Sequence, residues 1–290
     1  MSSLMMQRNE HKSLRNRALR LRQGVPNVVS LVVMSVGSVP LLLMYVWMVV
    51  VSFGDGGLVP RHFTFQNWSF LWSGLSGVGR ANLNIWRLLA NSLAIAVGEA
   101  VLQVGGALFA GYVISRGRFP GRKVLLQSTL LTHAFPAITG LIAAFYILNA
   151  VGLINTLAGV ILLKGFGGMP MATWIIKGFF DDVPRELEWA SKIDSGSRLK
   201  TFFHVFLPLV WPGVMAISLF AFLSGWGEYV MISVFIFDDR VNTISVIVRN
   251  LYSDEAARGF GVVMAVSTFY MIPCLILYFF AQKSLLKMKI

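Results

Sequence analysis

The chain has 290 residues, 56% apolar and only 13% charged, with a mean hydropathy of +0.69. Soluble domains carry about 25% charged residues, so a soluble enzyme or binding module is excluded and an integral membrane protein is indicated. The net charge of +12 is better explained by positive-inside membrane topology than by nucleic acid as a partner, and the single cysteine, Cys274, lies in an apolar run where neither an intrachain disulfide nor a cysteine metal set can form.

Residues 1–24 are polar and basic, with Arg8, Lys12, Arg15, Arg17, Arg20 and Arg22. No cleavage site follows and the next apolar run is too long for a signal peptide, so residues 1–27 read as a cytoplasmic tail. Six apolar spans come next, at about 28–53, 88–114, 125–149, 157–178, 207–236 and 261–282, each near the roughly 20 residues that cross a bilayer. The expected fold is therefore all-α integral membrane, with residues 28–290 as one six-span domain. The loop 54–87 holds Phe63, Phe65, Trp68, Phe70, Trp72 and Trp86, aromatic enough for a packed cap or an interfacial belt. Lysine and arginine number 18 on the side of the termini and the 115–124 and 177–206 loops, against 6 on the other. That asymmetry predicts cytoplasmic termini. Pro136, Pro212 and Pro273 predict kinks in spans three, five and six. Gly105, Gly106 and Gly111 in span two would allow close helix approach.

Asp182 to Pro212 is the most polar long stretch between two apolar ones. Asp182 can cap a helix, Pro184 suits a first turn, and Glu186 and Glu188 sit where the helix dipole favours anions. Leu187, Ala190 and Ile193 form an apolar stripe. Ser195, Gly196 and Ser197 break the pattern. A second amphipathic run, with Leu199, Phe202, Phe203 and Phe206, ends at Leu207-Pro208 before an apolar helix. The spacing predicts a short helix, a glycine turn and a second short helix on a membrane face, placed to be held by a soluble partner.

This stretch resembles the EAA loop of permease subunits of binding-protein-dependent ABC importers, whose sugar version reads roughly E-L-E-E-A-A-x-I-D-G-A-S and then F-x-x-V-x-L-P-L-x-x-P. Glu186, Leu187, Glu188, Ala190, Ile193, Asp194, Ser197, Phe203, Val205, Leu207, Pro208, Leu209 and Pro212 are in register. Trp189 stands where the second glutamate usually lies, Ser191 replaces an alanine, and the glycine moves by one to Gly196. Asn91-Ser92, the run from Ser115 to Lys123, Gly152 to Thr156, and Trp226-Gly227-Glu228-Tyr229 are similar to further signatures of the sugar permeases. The last has glycine where the family has asparagine.

The resemblance implies a type I ABC importer permease: six transmembrane helices with a cytoplasmic EAA-type coupling loop at 183–206, similar to the second membrane subunit of maltose-type importers. It implies a second homologous permease subunit, two cytoplasmic ATP-binding subunits, an extracytoplasmic solute-binding protein, and a carbohydrate as cargo. The coupling residues it points to are Glu186, Glu188, Ala190, Asp194, Gly196, Leu207 and Pro208.

No phosphate-binding loop of the G-x-x-x-x-G-K-[ST] type is found in the sequence, so ATP hydrolysis is expected in a partner and no cofactor is expected here. His11, His62, His133 and His204 are scattered without metal spacing, and no hydrolase triad pattern is evident. Acids within spans are costly. Glu99 and Glu228, with Lys164 as the one base at depth, either line a polar route or pair with neighbouring helices. Trp226, Glu228 and Tyr229 together suit sugar hydroxyls and form the candidate translocation path. Three other readings stay open: an importer permease for a polyamine, anion or glycerol phosphate, a membrane sensor, and an ion-coupled secondary transporter. The last predicts inverted repeats or paired intramembrane charges, and the sequence shows neither clearly.

Overall fold

The computed structural model describes residues 28–55, 57–75, 83–134, 137–195, 197–253 and 259–285. The basic tail, Ser76, Pro136 and Gly196 lie outside the described residues, as do the side chains of His133, Ile193 and Asp194. Helix α1 (Val28–Ser52) runs unbroken through Pro40. Its large apolar side chains from Leu31 to Trp47 are 40–69% exposed, as suits a span whose surroundings are hydrocarbon.

From Val51 onward the chain forms one packed unit. Its helices are α2 (Ile85–Arg116), α3 (Arg122–Ala134), α4 (Leu141–Ala150), α5 (Leu157–Asp181), α6 (Arg185–Ser195), α7 (Leu207–Trp226), α8 (Val230–Phe235), α9 (Ile244–Ser253) and α10 (Phe260–Leu285). Among the described residues there are isolated bridges at Gly54–Phe63 and Leu75–Leu83, and no strand. All-helical spans are what a bilayer demands, because each helix satisfies its own backbone groups.

Among the described residues, five stretches are long and apolar enough to cross a membrane: Ser30–Ser52, Ile85–Arg116, Leu157–Asp181, Leu199–Trp226 and Phe260–Phe280. The third of the six expected spans is present in two pieces, α3 and α4, with a 3-10 turn at Ala137–Gly140 between them. A property of the sequence accounts for the short first piece: Gln127, Ser128, Thr129 and Thr132 make α3 polar. The fifth span stops at Trp226 instead of 236. There the Gly227 N–H turns back to the Leu223 carbonyl at 3.0 Å. Helix α5 passes through Pro170, so no break precedes it and Lys164 lies within a helix.

Helices α2 and α5 pair most extensively, and α7 packs on both and on α10. The close approaches rest on glycines. A Cβ at Gly225 of α7 would meet the Ala96 Cα of α2 at 2.8 Å, and one at Gly165 of α5 would meet Leu102 at 2.6 Å. Gly105 differs from expectation, with nothing within 4 Å of where its Cβ would be, whereas Gly106 faces Met169 and Gly111 faces Ile176. The aromatic loop after α1 divides. Phe53, Trp68 and Phe70 stack in series at 5.2 and 5.9 Å, while Phe63, Phe65 and Trp72 are exposed by 75% or more.

Candidate functional site

The first candidate element is the coupling segment. Helix α6 begins at Arg185, directly after Pro184, with Glu186 and Glu188 in its first turn, where their charge complements the helix dipole. Asp182 does not cap it: this residue closes the C-terminus of α5 through its N–H to the Gly178 carbonyl at 3.2 Å. The predicted second short helix is a single turn, Arg198–Thr201. It is joined to the first by a hydrogen bond between the Ser191 and Thr201 hydroxyls at 2.9 Å. It does not end at Leu207-Pro208. A π-turn at Phe202–Phe206, whose carbonyl at Phe202 accepts from the Leu207 N–H, carries the helix into α7 with Pro208 in the first turn. The wider turn accommodates the proline, which has no N–H to donate.

Under this segment lies an apolar base. Phe180, Val183, Phe202, Phe206, Val210 and Ile176 are buried together, and the Tyr112 ring meets Phe180, Phe202 and Phe206 edge-on at 5.6, 5.1 and 5.2 Å. The outer face of α6 is different. Leu187 is 42% and Trp189 60% exposed, and Glu186 and Ala190 are exposed beside them. Leu187 and Ala190 of the apolar stripe read from the sequence therefore point away from this chain's own core. Glu188 and Leu207 are half-buried and Pro208 is exposed. Asp194 and Gly196 lie beyond what the structure describes at side-chain level.

The second candidate lies at the far end of α7, against the middle of α2. Glu228 falls in the break between α7 and α8, not within a span. Its Oε1 accepts from the Met231 N–H at 2.9 Å and so caps α8, and its carbonyl accepts from the Ser245 hydroxyl at 2.5 Å. Its Oε2 lies 2.8 Å from Lys164 Nζ. Lys164 also donates to the Ser224 hydroxyl at 2.7 Å and lies 3.9 Å from Glu99 Oε2. Glu99 is 1% exposed. The three ionisable groups read separately in the sequence are thus one cluster joining α2, α5 and the end of α7. A charge pairing that the sequence did not reveal is present, and two carboxylates face one ammonium.

Trp226 is packed, not presented to a cavity. It is 2% exposed, stacked on Tyr270 at 5.2 Å and on Phe222 at 6.0 Å, and its carbonyl accepts from the Tyr270 hydroxyl at 2.8 Å. Tyr229 is half-buried, with the Arg249 guanidinium 6.0 Å from its ring centroid, within cation–π range.

Two of the other sequence signatures, Asn91-Ser92 and Gly152 to Thr156, converge on the stretch that follows this break. Asn91 Nδ2 donates to the carbonyls of Arg240 and Asn242 at 3.0 and 2.8 Å, and the Ser92 hydroxyl accepts from the Ile244 N–H at 3.0 Å. Asn155, at φ +60°, accepts from the N–H groups of Phe237 and Asp238 at 2.8 and 3.1 Å. Motifs from two parts of the chain therefore hold residues 237–244 in place. The pairing of Lys164 with Glu228, and the bracing role of Asn91 and Asn155, are what sequence reasoning missed. A span-buried lysine with acids in two other spans was the available signal.

The family model described as "Binding-protein-dependent transport system inner membrane component" matches residues 20–287. The maltodextrin transport system permease protein MdxG of Bacillus subtilis (strain 168) is 33% identical over 195 residues, covering 67% of this chain and 70% of that protein. The galactooligosaccharides transport system permease protein GanQ of the same organism is 27% identical over 272 residues, covering 92% and 94%. Among solved structures, a bacterial ABC transporter involved in the import of the acidic polysaccharide alginate matches with a TM-score of 0.73 at 20% identity, over 88% of this chain and 95% of that one. That likeness concerns the fold.

Proposed function

We propose, from the premise that this chain belongs to the family of binding-protein-dependent transport system inner membrane components, that it is the membrane-spanning permease subunit of an ATP-driven importer of a carbohydrate. An oligosaccharide, a disaccharide or a related polyol is the cargo class, supported by the relatives named for maltodextrin and galactooligosaccharides. The chain forms half of the path, with a second homologous permease as the other half. Two cytoplasmic ATPase subunits hold the coupling segment, and an extracytoplasmic solute-binding protein delivers the cargo to the other face. The chain lies in a bacterial or archaeal plasma membrane with both termini in the cytoplasm, a placement supported by the lysine and arginine asymmetry. Hydrolysis belongs to the partner subunits, and this chain is not itself an enzyme.

The observation that carries the reading is the two-sidedness of the coupling segment. Its base, Phe180, Phe202 and Phe206, is fully packed, while Leu187 and Trp189 stand exposed beside Glu186. An apolar face with an acidic edge, presented on a short helix, fits a groove in a soluble partner. ATP-driven closure of the ATPases would move this helix, and the unbroken Leu199–Trp226 helix would carry that motion to the charge cluster at its far end.

The test is co-purification followed by uptake. The tagged chain, expressed with the products of its neighbouring genes, is expected to bring down an ATPase and a second permease. In proteoliposomes the complex should take up a maltodextrin or a related oligosaccharide only with ATP inside and the binding protein outside. A chain that never retains an ATPase, or uptake driven by an ion gradient without ATP, overturns the proposal.

A further inference from the structure

Arg116, the last residue of α2, lies where the two ends of the coupling segment meet. Its Nη2 donates to the Phe180 carbonyl at 2.5 Å and to the Val183 carbonyl at 2.6 Å. The first is in the last turn of α5 and the second is the residue from which the chain enters α6. The same guanidinium lies 4.9 Å from the centroid of the Phe206 ring, in the turn by which the segment leaves for α7. One side chain therefore touches both the entry and the exit of residues 183–206. A cation at a helix C-terminus is favoured by the exposed carbonyls and by the dipole, and the planar guanidinium can donate in its plane while stacking on a ring. The neighbouring Ser115 hydroxyl donates to Asp181 Oδ1 at 2.5 Å, and Lys177 pairs with the other oxygen of Asp181, so α2 and the end of α5 are joined a second time.

We propose that Arg116 is a positioning residue for energy coupling: a clasp that closes the neck of the coupling segment onto α2. Without it, the entry to α6 would be held to α5 only by the backbone bonds of Asp182 and Val183 and would have no polar tie to α2. With it, a displacement of α6 moves α2, α5 and α7 together. Phe180, Phe202 and Phe206 supply an apolar bed beside it, but apolar contacts slide, whereas two charge-assisted hydrogen bonds fix direction. The inference rests on the importer reading for what pushes on α6, and on geometry alone for the clasp.

The experiment uses the full chain with Cys274→Ala and two reporter cysteines, Trp189→Cys on α6 and Val113→Cys on α2. Both positions are exposed, by 60% and 53%. Spin-label distances are recorded in lipid nanodiscs for Arg116, Arg116→Lys and Arg116→Gln. The wild-type distribution is expected to be narrow, that of Arg116→Gln broad, and that of Arg116→Lys intermediate, since an ammonium keeps the charge but not the fork. In the assembled complex, Arg116→Gln should raise the ATP hydrolysed per solute moved by about five-fold, the lower end of typical coupling between sites, with assembly unchanged. A purely structural role would instead lower assembled complex and both rates together. An unchanged distance distribution and an unchanged ATP-to-solute ratio in Arg116→Gln overturn the proposal. Should that variant not insert, the same two readings on Arg116→Lys decide it. If wild-type chain retains no ATPase, the importer reading fails while the distance measurement still judges the clasp.

Discussion

The Lys164 ammonium lies 2.8 Å from the Glu228 carboxylate, joining the interior of α5 to the point where the chain leaves α7. The two side chains are only 15% and 10% exposed. Removing Glu228 withdraws one of the two carboxylates facing this ammonium and leaves Glu99 at 3.9 Å as its remaining counter-charge. Glu228→Gln keeps an acceptor oxygen for the Met231 N–H and loses the charge. Uptake per assembled complex should fall several-fold while the binding protein still docks. Undiminished uptake by an assembled Glu228→Gln complex would remove Glu228 from the path.

Lys164→Met should be the harsher change, because it leaves Glu99 and Glu228 facing each other without a counter-charge. The expected order of assembled yield is wild type, then Glu228→Gln, then Lys164→Met. The double variant Lys164→Met with Glu228→Gln should recover above Lys164→Met alone. Quantified membrane extracts read this directly, and a double variant no better than the single one contradicts it.

Gly225→Ala places a methyl group 2.8 Å from the Ala96 Cα and 2.7 Å from Glu99 Oε2. Backbone cannot move aside as a flexible side chain can, so a loss of about 1–3 kcal/mol is expected, read as a lower Tm of the purified chain. Gly105→Ala meets open space and should be neutral or stabilising by up to about 1 kcal/mol, the helix-propensity difference. Equal effects at the two sites would contradict the packing of α7 on α2.

The exposed face of α6 predicts that Leu187→Asp and Trp189→Ala reduce ATPase retained on the chain by about ten-fold, the size expected for truncating an interface anchor. Insertion should be untouched, since neither side chain packs on the spans. Full ATPase retention by both variants would show that the partner uses another surface.

Topology is tested by single cysteines on the Cys274→Ala background. Val59→Cys, in an exposed stretch after α1, should react with a membrane-impermeant maleimide on intact cells. Lys200→Cys, in the coupling segment, should react only after permeabilisation. The reverse pattern would invert the orientation drawn from the lysine and arginine count.

Much of the fold follows from hydrophobic run length alone. The span read at 88–114 is α2 at Ile85–Arg116, and the helix, break and helix read across 183–206 correspond to α6 and the turn at Arg198–Thr201. What escaped was where an apolar run stops being one helix. Val230 to Phe237 is as apolar as a span, so Glu228 reads as a charge at depth. The chain breaks there because the Gly227 N–H closes α7 and the Glu228 carboxylate caps α8. The charge cluster was illegible for a related reason. Lys164 lies in a different helix from either acid, and only the crossing of α2, α5 and α7 brings them together. Gly105 and Gly106 are indistinguishable as letters, yet one faces Met169 and the other nothing.

The π-turn at Phe202–Phe206 sets the rotational phase of everything after it. One residue more than an α-turn advances the following helix by about 100°. The faces of α7 that carry Gly213 toward Phe179 and Gly225 toward Ala96 depend on that added residue. Deleting Val205 would make Leu199–Trp226 a regular α-helix and would turn both glycines away from their partners without changing the composition of either contact. The spacing between the coupling segment and α7 is therefore an angular quantity, and insertions or deletions within it act as rotations of the transmembrane half.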